Sequence, residues 1–294
     1  MAMIDALRPT VRRAVLGVLL LLALAASACG QAGTAGSGAA PANEAQPASA
    51  ASGSAGSSAK LDVVRLDYAY YSPVSLVLRQ FGWVEEAFAP DGIDVEWVLS
   101  LGSNKANEHL ASHTVHFAST AGSAALMARA NGVPLQSVWI YYQPEWTALV
   151  VAADSDIDEV ADLKGRRVAA TRGTDPYFFL LKSLDHAGLS ESDVTIVHLQ
   201  HPDGMTALLA GQVDAWAGLD PHMAKAELDA GAQLIFRRPE WNAFGFLNVL
   251  ESFAQEHPDV VERVLAQYER GRQWVLANPD ETARILREVS GVSV

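Results

Sequence analysis

The chain contains a single cysteine, Cys29, in 294 residues. One thiol cannot form a disulfide within the chain, so disulfide bonds do not hold this fold together. Positive charge is also scarce: 21 Lys and Arg residues stand against 34 Asp and Glu residues, which gives a formal net charge of −13 at pH 7. No cluster of basic residues is present. The composition therefore argues against a nucleic-acid-binding protein, whose phosphate contacts require grouped Lys and Arg.

Long apolar runs are scarce too, and the main one extends from Ala14 to Ala26. At about 13 residues it is shorter than the roughly 20 that a transmembrane helix needs. Three arginines precede it and Ser27-Ala28-Cys29 follows, which is the layout of a signal peptide. Residues 1–29 are therefore predicted to be a lipoprotein signal peptide, with Cys29 as the lipidated residue. Ordinary secretion with an incidental cysteine is the alternative.

Large apolar side chains are missing from residues 30–60, where Ala, Gly, Ser, Pro and Gln dominate and only Glu44 and Lys60 are charged. This composition predicts a flexible tether. The remaining chain, from Leu61 to Val294, is about 230 residues long and can bury a sizeable core, as one large domain or as two lobes.

One pattern recurs along that part of the chain. An apolar or β-branched run ends in small polar residues, and a segment with helical periodicity follows at once. The run "VVRLDYAYYSP", for example, leads into Val74, Val77, Leu78, Phe81, Val84 and Phe88, which would share one helical face. Six such units predict an α/β fold of mostly parallel sheets flanked by helices. Ligands of such sheets bind outside the carboxyl ends of the strands.

The stretch "RGTDPY" is one of these junctions between strand and helix. Asp175 is predicted to cap the helix and Pro176 to occupy its first turn, with Gly188 as the stop. Gly173 and Thr174 would leave backbone N–H groups available to a ligand. A simple helix cap without a binding role is the alternative, and it applies equally to Asp220-Pro221.

Three segments, taken in order, carry a resemblance to a known family: "GTDPYFFLLKSL", "ALLAGQVDAWAGLDPHMAKAE" and "HPDVVERVLAQYERGRQWVLANPDETARIL". From about Leu61 onward the chain resembles periplasmic solute-binding proteins of ABC importers, in particular the aliphatic sulfonate, taurine and nitrate group. The resemblance implies a two-lobed periplasmic binding protein fold of type II. Its expected segments are 61–143 in lobe 1, 144–240 in lobe 2, and 241–294 returning to lobe 1.

The resemblance also implies what the protein does. It would be a monomeric, lipid-anchored receptor outside the cytoplasm that captures a small organic solute and delivers it to the ABC permease in the membrane. It would need no cofactor and would catalyse no reaction. The family further implies a C-terminal extension of some tens of residues beyond Val294.

The family's binding site lies on the loops at the strand ends. Carried over to this sequence, the first lobe would supply Tyr70, Ser72, Ser103, Asn104, Ser119 and Thr120. The second lobe would supply Gly173, Thr174, Asp175, Trp216 and Asp220, and Gln143 and Trp146 would border the hinge. Tyr70 and Tyr71 alternate at a predicted strand end, so at most one of them is expected to face the ligand.

The chemistry of this set leaves the solute open. Hydroxyls and N–H groups at helix N-termini suit a sulfonate or another compact anion, because neutral donors avoid an unpaired buried charge. The carboxylates of Asp175, Asp203 and Asp220 favour an amine, so an aminosulfonate such as taurine would satisfy both. A pyrimidine or other nitrogen heterocycle stacked on Tyr70, Trp146 and Trp216 is a second possibility.

A metal-binding protein or enzyme is the rival class. His109 and His113 are four residues apart, a spacing that suits metal ligands on one helix face, and His116 follows. His113 lies at a predicted turn and His116 in the following strand, however, so exposed turn histidines are the competing interpretation. The sequence also lacks the G-x-S-x-G elbow of serine hydrolases.

Overall fold

The computed structural model describes residues 61–291, so the predicted signal peptide and tether lie outside the described residues. The strands are β1 (Val63–Tyr68), β2 (Asp94–Leu99), β3 (Phe117–Ala121), β4 (Leu135–Tyr142), β5 (Leu149–Val151), β6 (Arg167–Ala170), β7 (Thr195–His198), β8 (Ala215–Ala217), β9 (Gln233–Phe236) and β10 (Gly245–Leu250). The helices are α1 (Pro73–Phe81), α2 (Trp83–Phe88), α3 (Ser103–Ala111), α4 (Gly122–Ala130), α5 (Asp175–His186), α6 (His201–Leu209), α7 (His222–Ala230), α8 (Glu251–Glu256), α9 (Pro258–Ala277) and α10 (Pro279–Ser290).

These strands form two five-stranded sheets with the same topology. The first has the order β2-β1-β3-β10-β4 and the second the order β7-β6-β8-β5-β9. We call the first sheet with α1–α4 and α8–α10 the first lobe, and the second sheet with α5–α7 the second lobe. The chain passes between the lobes twice, in a first connection between β4 and β5 and a second connection between β9 and β10.

Each sheet is mixed, with four strands in one direction and one strand reversed. In the first lobe β10 runs antiparallel to both β3 and β4, and in the second lobe β5 runs antiparallel to both β8 and β9. The reversed strand is in each case the one that follows a connection. Because the chain arrives there at the carboxyl ends of the other strands, the new strand must run away from that edge. The predicted α/β class and predominance of parallel strands are confirmed, with this one exception in each sheet.

Two glycines end helices that the hydrophobic pattern outlines. The predicted single helix after β1 is broken into α1 and α2 at Gly82, which has a φ of 67° and accepts the left-handed conformation without the steric cost of a Cβ. Phe81, which the pattern had placed on the buried face, is 42% exposed and packs on the rings of Trp83 and Trp274. Gly188, with a φ of 73°, ends α5 as predicted.

The first lobe buries a continuous apolar core between its sheet and helices. Val64 and Leu66 of β1 pack with Leu78 of α1, and with Val264 and Tyr268 of the long helix α9. Complete burial of an aliphatic or aromatic side chain of this size contributes roughly 1.5–3 kcal/mol to the free energy of unfolding. This packing holds the carboxyl ends of β1, β2 and β3 at one edge of the sheet.

The second lobe has two smaller clusters, one on each face of its sheet. Val168 and Phe179 belong to one cluster, and Val150 and Trp216 to the other. No helix between residues 61 and 291 combines the length and the apolar character that a bilayer-spanning segment requires. The lobe boundaries expected at residues 143 and 240 stay a prediction.

Candidate functional site

Side chains from both lobes and from the first connection surround one buried cavity. Its volume is about 10 Å³, roughly what a single water molecule occupies. A solute of several heavy atoms therefore enters only if the lobes or these side chains move. The residues that line it are Tyr71, Ser103, Ala121, Trp146, Thr174, Asp175, Pro176 and Leu219.

The cavity lies at the N-terminal ends of three helices. Ser103 is the first residue of α3, Ala121 directly precedes α4, and Thr174 directly precedes α5. The first N–H groups of a helix have no partner within it, and the helix dipole adds a partial positive charge there. The N-termini of two helices of the first lobe and one of the second thus meet at the same small volume, and their dipoles favour an anion there. The Gly122 N–H is already bonded to the backbone oxygen of Phe244, and Pro176 has no N–H to offer.

The carboxylate of Asp175 connects the lobes in this structure. One oxygen accepts a hydrogen bond from the Ser123 hydroxyl of the first lobe at 2.7 Å. The other accepts bonds from Trp146 Nε1 and from the backbone N–H of Ala243, both at 2.8 Å. Asp175 is only 4% exposed. The sequence predicted a helix cap, but α5 is preceded by Thr174 and the Asp175 carboxylate binds groups outside its own helix.

A second, larger space adjoins the cavity, and we call it the side groove. It has a volume of about 280 Å³. Tyr71 and Trp146 line both spaces, so the two spaces adjoin at these side chains. The side groove is lined by Tyr70, Tyr71, Pro73, Tyr142, Pro144, Glu145, Trp146, Asp220, Pro221, Ala224 and Leu286.

Six predicted site residues line one or both of these spaces, and Gly173 and Asn104 lie beside them. Ser103, Trp146, Thr174 and Asp175 line the cavity, and Tyr70, Trp146 and Asp220 line the side groove. Gly173 completes the junction: its φ is 80°, and a Cβ there would lie 3.1 Å from Met127 Cε and 3.5 Å from Asn104 Cβ. A side chain at this position would strain the left-handed backbone and require a small shift of the Met127 side chain. Asn104 Oδ1 is buried and without a hydrogen bond among the described residues.

Three predicted hydroxyls lie behind the cavity wall instead, inside the first lobe. The Ser72 hydroxyl is 3.0 Å from that of Tyr141, and Thr120 Oγ1 accepts a bond from Asn248 Nδ2 at 2.7 Å. Ser119 donates its backbone N–H to Asp67 Oδ1 at 2.8 Å. All three are at most 1% exposed. They support the loop ends and do not line the cavity.

Two more predicted residues lie outside both the cavity and the side groove. Trp216 is completely buried in the second lobe, packed against Gly204, which agrees with its alternative interpretation as a core residue. Gln143 is exposed on the first connection and donates to the backbone oxygen of Asn242 at 3.3 Å. Neither of them lines the cavity or the side groove.

Several wall residues escaped the sequence analysis. Tyr70 and Tyr71 both line the side groove, because β1 ends at Tyr68 and the strand alternation no longer applies to them. The expectation that at most one of them faces the ligand stays a prediction. Ala121 and Leu219 were missed because small and aliphatic residues carry no chemical signal, although Ala121 ends β3 and Leu219 lies two residues after β8.

His201 is the most informative omission. It starts α6 in the second lobe, is fully buried, and would lie 3.1 Å from a Cβ on Gly102 of the first lobe. Its Nδ1 is 3.2 Å from Thr171 Oγ1, and its Nε2 has no partner among residues 61–291. Burial, together with the nearby His222, lowers the pKa of His201 to about 3, so the ring is neutral. The sequence "HPDGM" had directed attention to Asp203, which is exposed.

The carboxylates of the side groove differ in their environment. Both oxygens of Glu145 accept hydrogen bonds from Arg237, at 2.8 and 2.7 Å, and this pairing lowers the pKa of Glu145. Asp220 accepts one bond, from the backbone N–H of Ala224 at 3.2 Å, which caps α7 as the alternative interpretation foresaw. Burial raises the pKa of Asp220 to about 6.

The three clustered histidines face different surroundings. His109 Nδ1 is 3.3 Å from Ser100 Oγ, and His113 is exposed in a turn with a φ of 56°. His116 accepts a bond from the backbone N–H of Arg65 and stacks on Phe253. Within the described part of the chain, no group of three His, Cys, Asp or Glu side chains is placed to hold a metal ion.

Two lobes of equal topology, joined by two connections around a cavity between them, define a two-lobed α/β fold of the periplasmic binding protein type. Comparison with known proteins gives the family. Residues 82–282 match the NMT1/THI5-like family model, and the chain belongs to that family. The predicted membership of the solute-binding group is thereby confirmed.

Named relatives agree with this assignment. A Bacillus subtilis (strain 168) protein named for binding aliphatic sulfonates is 29% identical over 217 residues, covering 73% of this chain and 65% of that protein. An Escherichia coli (strain K12) protein with the same name is 27% identical over 233 residues, covering 79% of this chain and 72% of that protein. The chain thus spans just under two thirds of the first relative's length. The relatives are named as binding proteins and not as enzymes, in agreement with the prediction that this chain catalyses no reaction.

A solved structure shows the same fold. The alkanesulfonate-binding protein SsuA from Xanthomonas axonopodis pv. citri, solved with MOPS bound, superposes with a TM-score of 0.74 at 26% identity. The match covers 80% of this chain and 81% of that one. The predicted two-lobed periplasmic binding protein fold is therefore confirmed.

Proposed function

We propose that this protein is the solute-binding component of an ABC importer and that its solute is a small organic sulfonate. The observation that carries the proposal is the convergence of the N-termini of α3, α4 and α5 on one cavity between the lobes. N–H groups at helix ends bind a compact anion without bringing a buried counter-charge, and a sulfonate offers three acceptor oxygens to them. The names of the relatives support the same class of solute.

The proposed contacts come from both lobes. Ser103 would bind the anion from the first lobe and Thr174 from the second, with Tyr71 and Trp146 as aromatic walls. Closure of the lobes would then bring both sets of donors around the solute at once. A solute that lacks the anionic group would leave these donors buried and unpaired, which is the physical basis of selectivity.

The carboxylates near the site narrow the solute further. Asp175 and Asp220 would repel a simple anion unless it also carried a positive charge. An aminosulfonate such as taurine satisfies the helix N-termini with its sulfonate and a carboxylate with its ammonium group. We therefore favour an aminosulfonate over nitrate or a plain alkanesulfonate.

The remaining features of the proposed function concern the cell envelope. The protein would act outside the cytoplasm as a monomer, held at the membrane by a lipid on Cys29 and the tether of residues 30–60. Its partner would be the permease that receives the solute. Labelling with a fatty acid analogue, lost on Cys29→Ser while secretion persists, would test the anchor.

A second candidate solute is a nitrogen heterocycle such as a pyrimidine. The observation that favours it is the aromatic lining of the side groove by Tyr70, Tyr142 and Trp146. Ring stacking at such sites contributes roughly 0.5–1.5 kcal/mol beyond the burial of area. This candidate leaves the three helix N-termini without a function, so we place it second.

The deciding experiment is a thermal unfolding screen of the full chain with taurine, alkanesulfonates, nitrate, amines and pyrimidines. A solute at a hundredfold excess over its Kd should stabilise the protein by about 2.7 kcal/mol. For a domain of this size that corresponds to a rise in Tm of roughly 5–10 °C. Stabilisation by pyrimidines but by no sulfonate would replace the first candidate with the second.

A further inference from the structure

The side groove has the size and character of a site for an organic group. Its volume of about 280 Å³ is close to the lower limit for pockets that hold small organic ligands, roughly 300 Å³. Its walls are mainly rings and aliphatic side chains, among them Tyr70, Pro144, Trp146 and Pro221. Such a lining favours hydrocarbon or ring surface over a hydrated ion.

The aromatic rings of the groove are held in fixed orientations. Trp146 meets Tyr142 edge to face at 5.4 Å between ring centroids, and it meets Tyr71 in the same manner at 6.4 Å. Tyr70 packs edge to face on His222 at 6.3 Å. Rings held by such contacts lose little further conformational freedom when a ligand packs against them.

The electrostatic balance of the groove is negative. Glu145 is paired with Arg237 through both oxygens, so its charge is compensated. Asp220 has one bond, to the N–H of Ala224, and its other oxygen has no hydrogen bond within residues 61–291. The charged groups that act on Asp220 are Glu227, Glu145 and Arg237, that is, two carboxylates and one guanidinium that is already paired. A cationic group in the groove would have Asp220 as its direct partner.

Asp175, the other carboxylate of the site, is in a different situation. Its two oxygens accept three hydrogen bonds from Ser123, Trp146 and Ala243. Its charge is thus already stabilised by protein donors. Of the two carboxylates, Asp220 is the one with capacity for a ligand.

We infer that the side groove binds a substituted ammonium group of the solute, with Asp220 as its counter-charge and the rings of Tyr70 and Trp146 against its alkyl substituents. This inference rests on the proposed function, because the sulfonate of the same solute would occupy the adjoining cavity. It extends the solute class beyond taurine to aminosulfonates whose nitrogen carries bulky alkyl or ring substituents. Taurine itself would fill only a small part of the groove.

The test is isothermal titration calorimetry of the full chain with two ligands of equal shape. One is trimethylammoniopropanesulfonate, and the other is its uncharged carbon isostere, in which a tert-butyl group replaces the trimethylammonium group. Wild type should bind the ammonium compound roughly tenfold more tightly than the isostere, since a desolvated charge contact with aromatic support is worth about one factor of ten in Kd. Equal affinity for the two compounds would overturn the inference.

Asp220→Asn tests whether the Asp220 carboxylate causes the preference for the ammonium compound over its isostere. The amide oxygen can still accept the Ala224 N–H, so α7 keeps its cap, but the counter-charge is lost. The variant should bind the two compounds within about twofold of each other. Asp185→Asn is the matched control: it makes the same substitution at an exposed position of α5 that does not line the groove, and it should keep the preference. A preference that survives Asp220→Asn would overturn the role of this carboxylate.

A second variant keeps the test decisive if Asp220→Asn does not fold. Ala224→Phe places a ring in the groove from a half-buried position on α7. It should weaken trimethylammoniopropanesulfonate by roughly tenfold or more and leave methanesulfonate within about twofold. Equal loss for both ligands, or for neither, would show that the groove does not hold the substituent.

Failure of the inference and failure of the proposed function give different results. If plain alkanesulfonates bind and the ammonium group makes no difference, only the groove assignment falls. If no sulfonate binds but propyltrimethylammonium does, and Asp220→Asn weakens that binding, the groove assignment is supported and the anion site is rejected. If neither class of compound binds, both the groove assignment and the proposed function are rejected.

Discussion

At the scale of single residues, the polar groups inside the first lobe are the least expected feature of this protein. Asp67, on β1, is completely buried, and only one of its oxygens accepts a hydrogen bond, from the backbone N–H of Ser119. Its Oδ2 and the nearby Tyr268 hydroxyl have no partner among residues 61–291. Burial raises the pKa of Asp67 to about 7. A carboxyl group in this position is protonated well above the pH at which an exposed aspartate ionises.

This raised pKa predicts a defined dependence of stability on pH. The ordinary value is 3.8, so between about pH 4 and about pH 7 the folded chain keeps a proton that the unfolded chain loses. The contribution of Asp67 to the free energy of unfolding is fully present below the unfolded pKa and is lost as the pH rises through the folded pKa. Asp67→Asn does not undergo this loss. Between about pH 4 and about pH 7 its free energy of unfolding should therefore rise relative to that of wild type, by on the order of 2–4 kcal/mol.

The measurement is denaturant unfolding of both proteins at several pH values. Only the difference between them is informative, because burial lowers the pKa values of His116, His201 and His222, and these rings act in the opposite sense. A difference that stays constant from about pH 4 to about pH 7 would mean that Asp67 ionises normally in the folded protein.

Residue-level prediction from the sequence had a clear physical limit. Ser103, Thr174 and Asp175 could be placed at the site because each stands where a strand gives way to a helix. Ser72 stands at an equivalent junction, and Ser119 and Thr120 lie near the end of β3. Their polar groups are nevertheless bound inside the lobe by Tyr141, Asp67 and Asn248. Those partners lie 52 to 128 positions away along the chain, so no local sequence pattern contains them.

At the scale of elements, the reversed strands β5 and β10 decide where the connections meet the site. Each begins at the cleft edge of its sheet, so the residues just before it, Trp146 and Ala243, lie against Asp175. The family resemblance implied that the chain passes twice between the lobes, but the sequence did not predict the direction of the strands that follow the connections. Strand direction depends on the path between lobes, and hydrophobic alternation is the same in either direction.

The start of β10 is unusually close to the end of β4. A Cβ on Gly245 would lie 1.8 Å from Tyr142 Cε1, so this glycine lets the Tyr142 ring cross the neighbouring strand. Gly245→Ala should force the ring to move and lower the free energy of unfolding by about 1–3 kcal/mol. Because Tyr142 also lines the side groove, the variant should weaken binding of bulky solutes as well. Denaturant unfolding and calorimetry would measure the two effects.

Gly188→Ala is the comparison for this substitution. Gly188 has a positive φ but open space around its Cβ position, so its replacement should cost only the backbone preference, about 1 kcal/mol, and leave binding unchanged. Equal losses of stability and no effect on binding in Gly245→Ala would contradict a role for the close packing of Tyr142.

At the scale of the whole molecule, the structure joins its lobes through a small number of polar contacts. The Asp175 carboxylate is bound by Ser123 of the first lobe and by one residue of each connection, Trp146 and Ala243. Gly173 and His201 add close packing of the second lobe on Asn104 and Gly102 of the first. A carboxylate that accepts three bonds from different parts of the molecule favours the closed arrangement, and its energetic weight can be measured.

Asp175→Ala should therefore shift the molecule towards an open arrangement. Loss of the carboxylate leaves three donors without their acceptor, which lowers the free energy of unfolding by roughly 1–3 kcal/mol and raises the radius of gyration in small-angle scattering. Affinity for a sulfonate should fall in proportion to the population of the closed state.

Asp185→Asn, an exposed change on the same helix, is the control and should match wild type. Ser123→Ala removes only the bond between lobes, so it should reproduce the larger radius while keeping most of the stability. An unchanged radius in both Asp175→Ala and Ser123→Ala would show that packing at Gly173 and His201, and not this carboxylate, holds the lobes together.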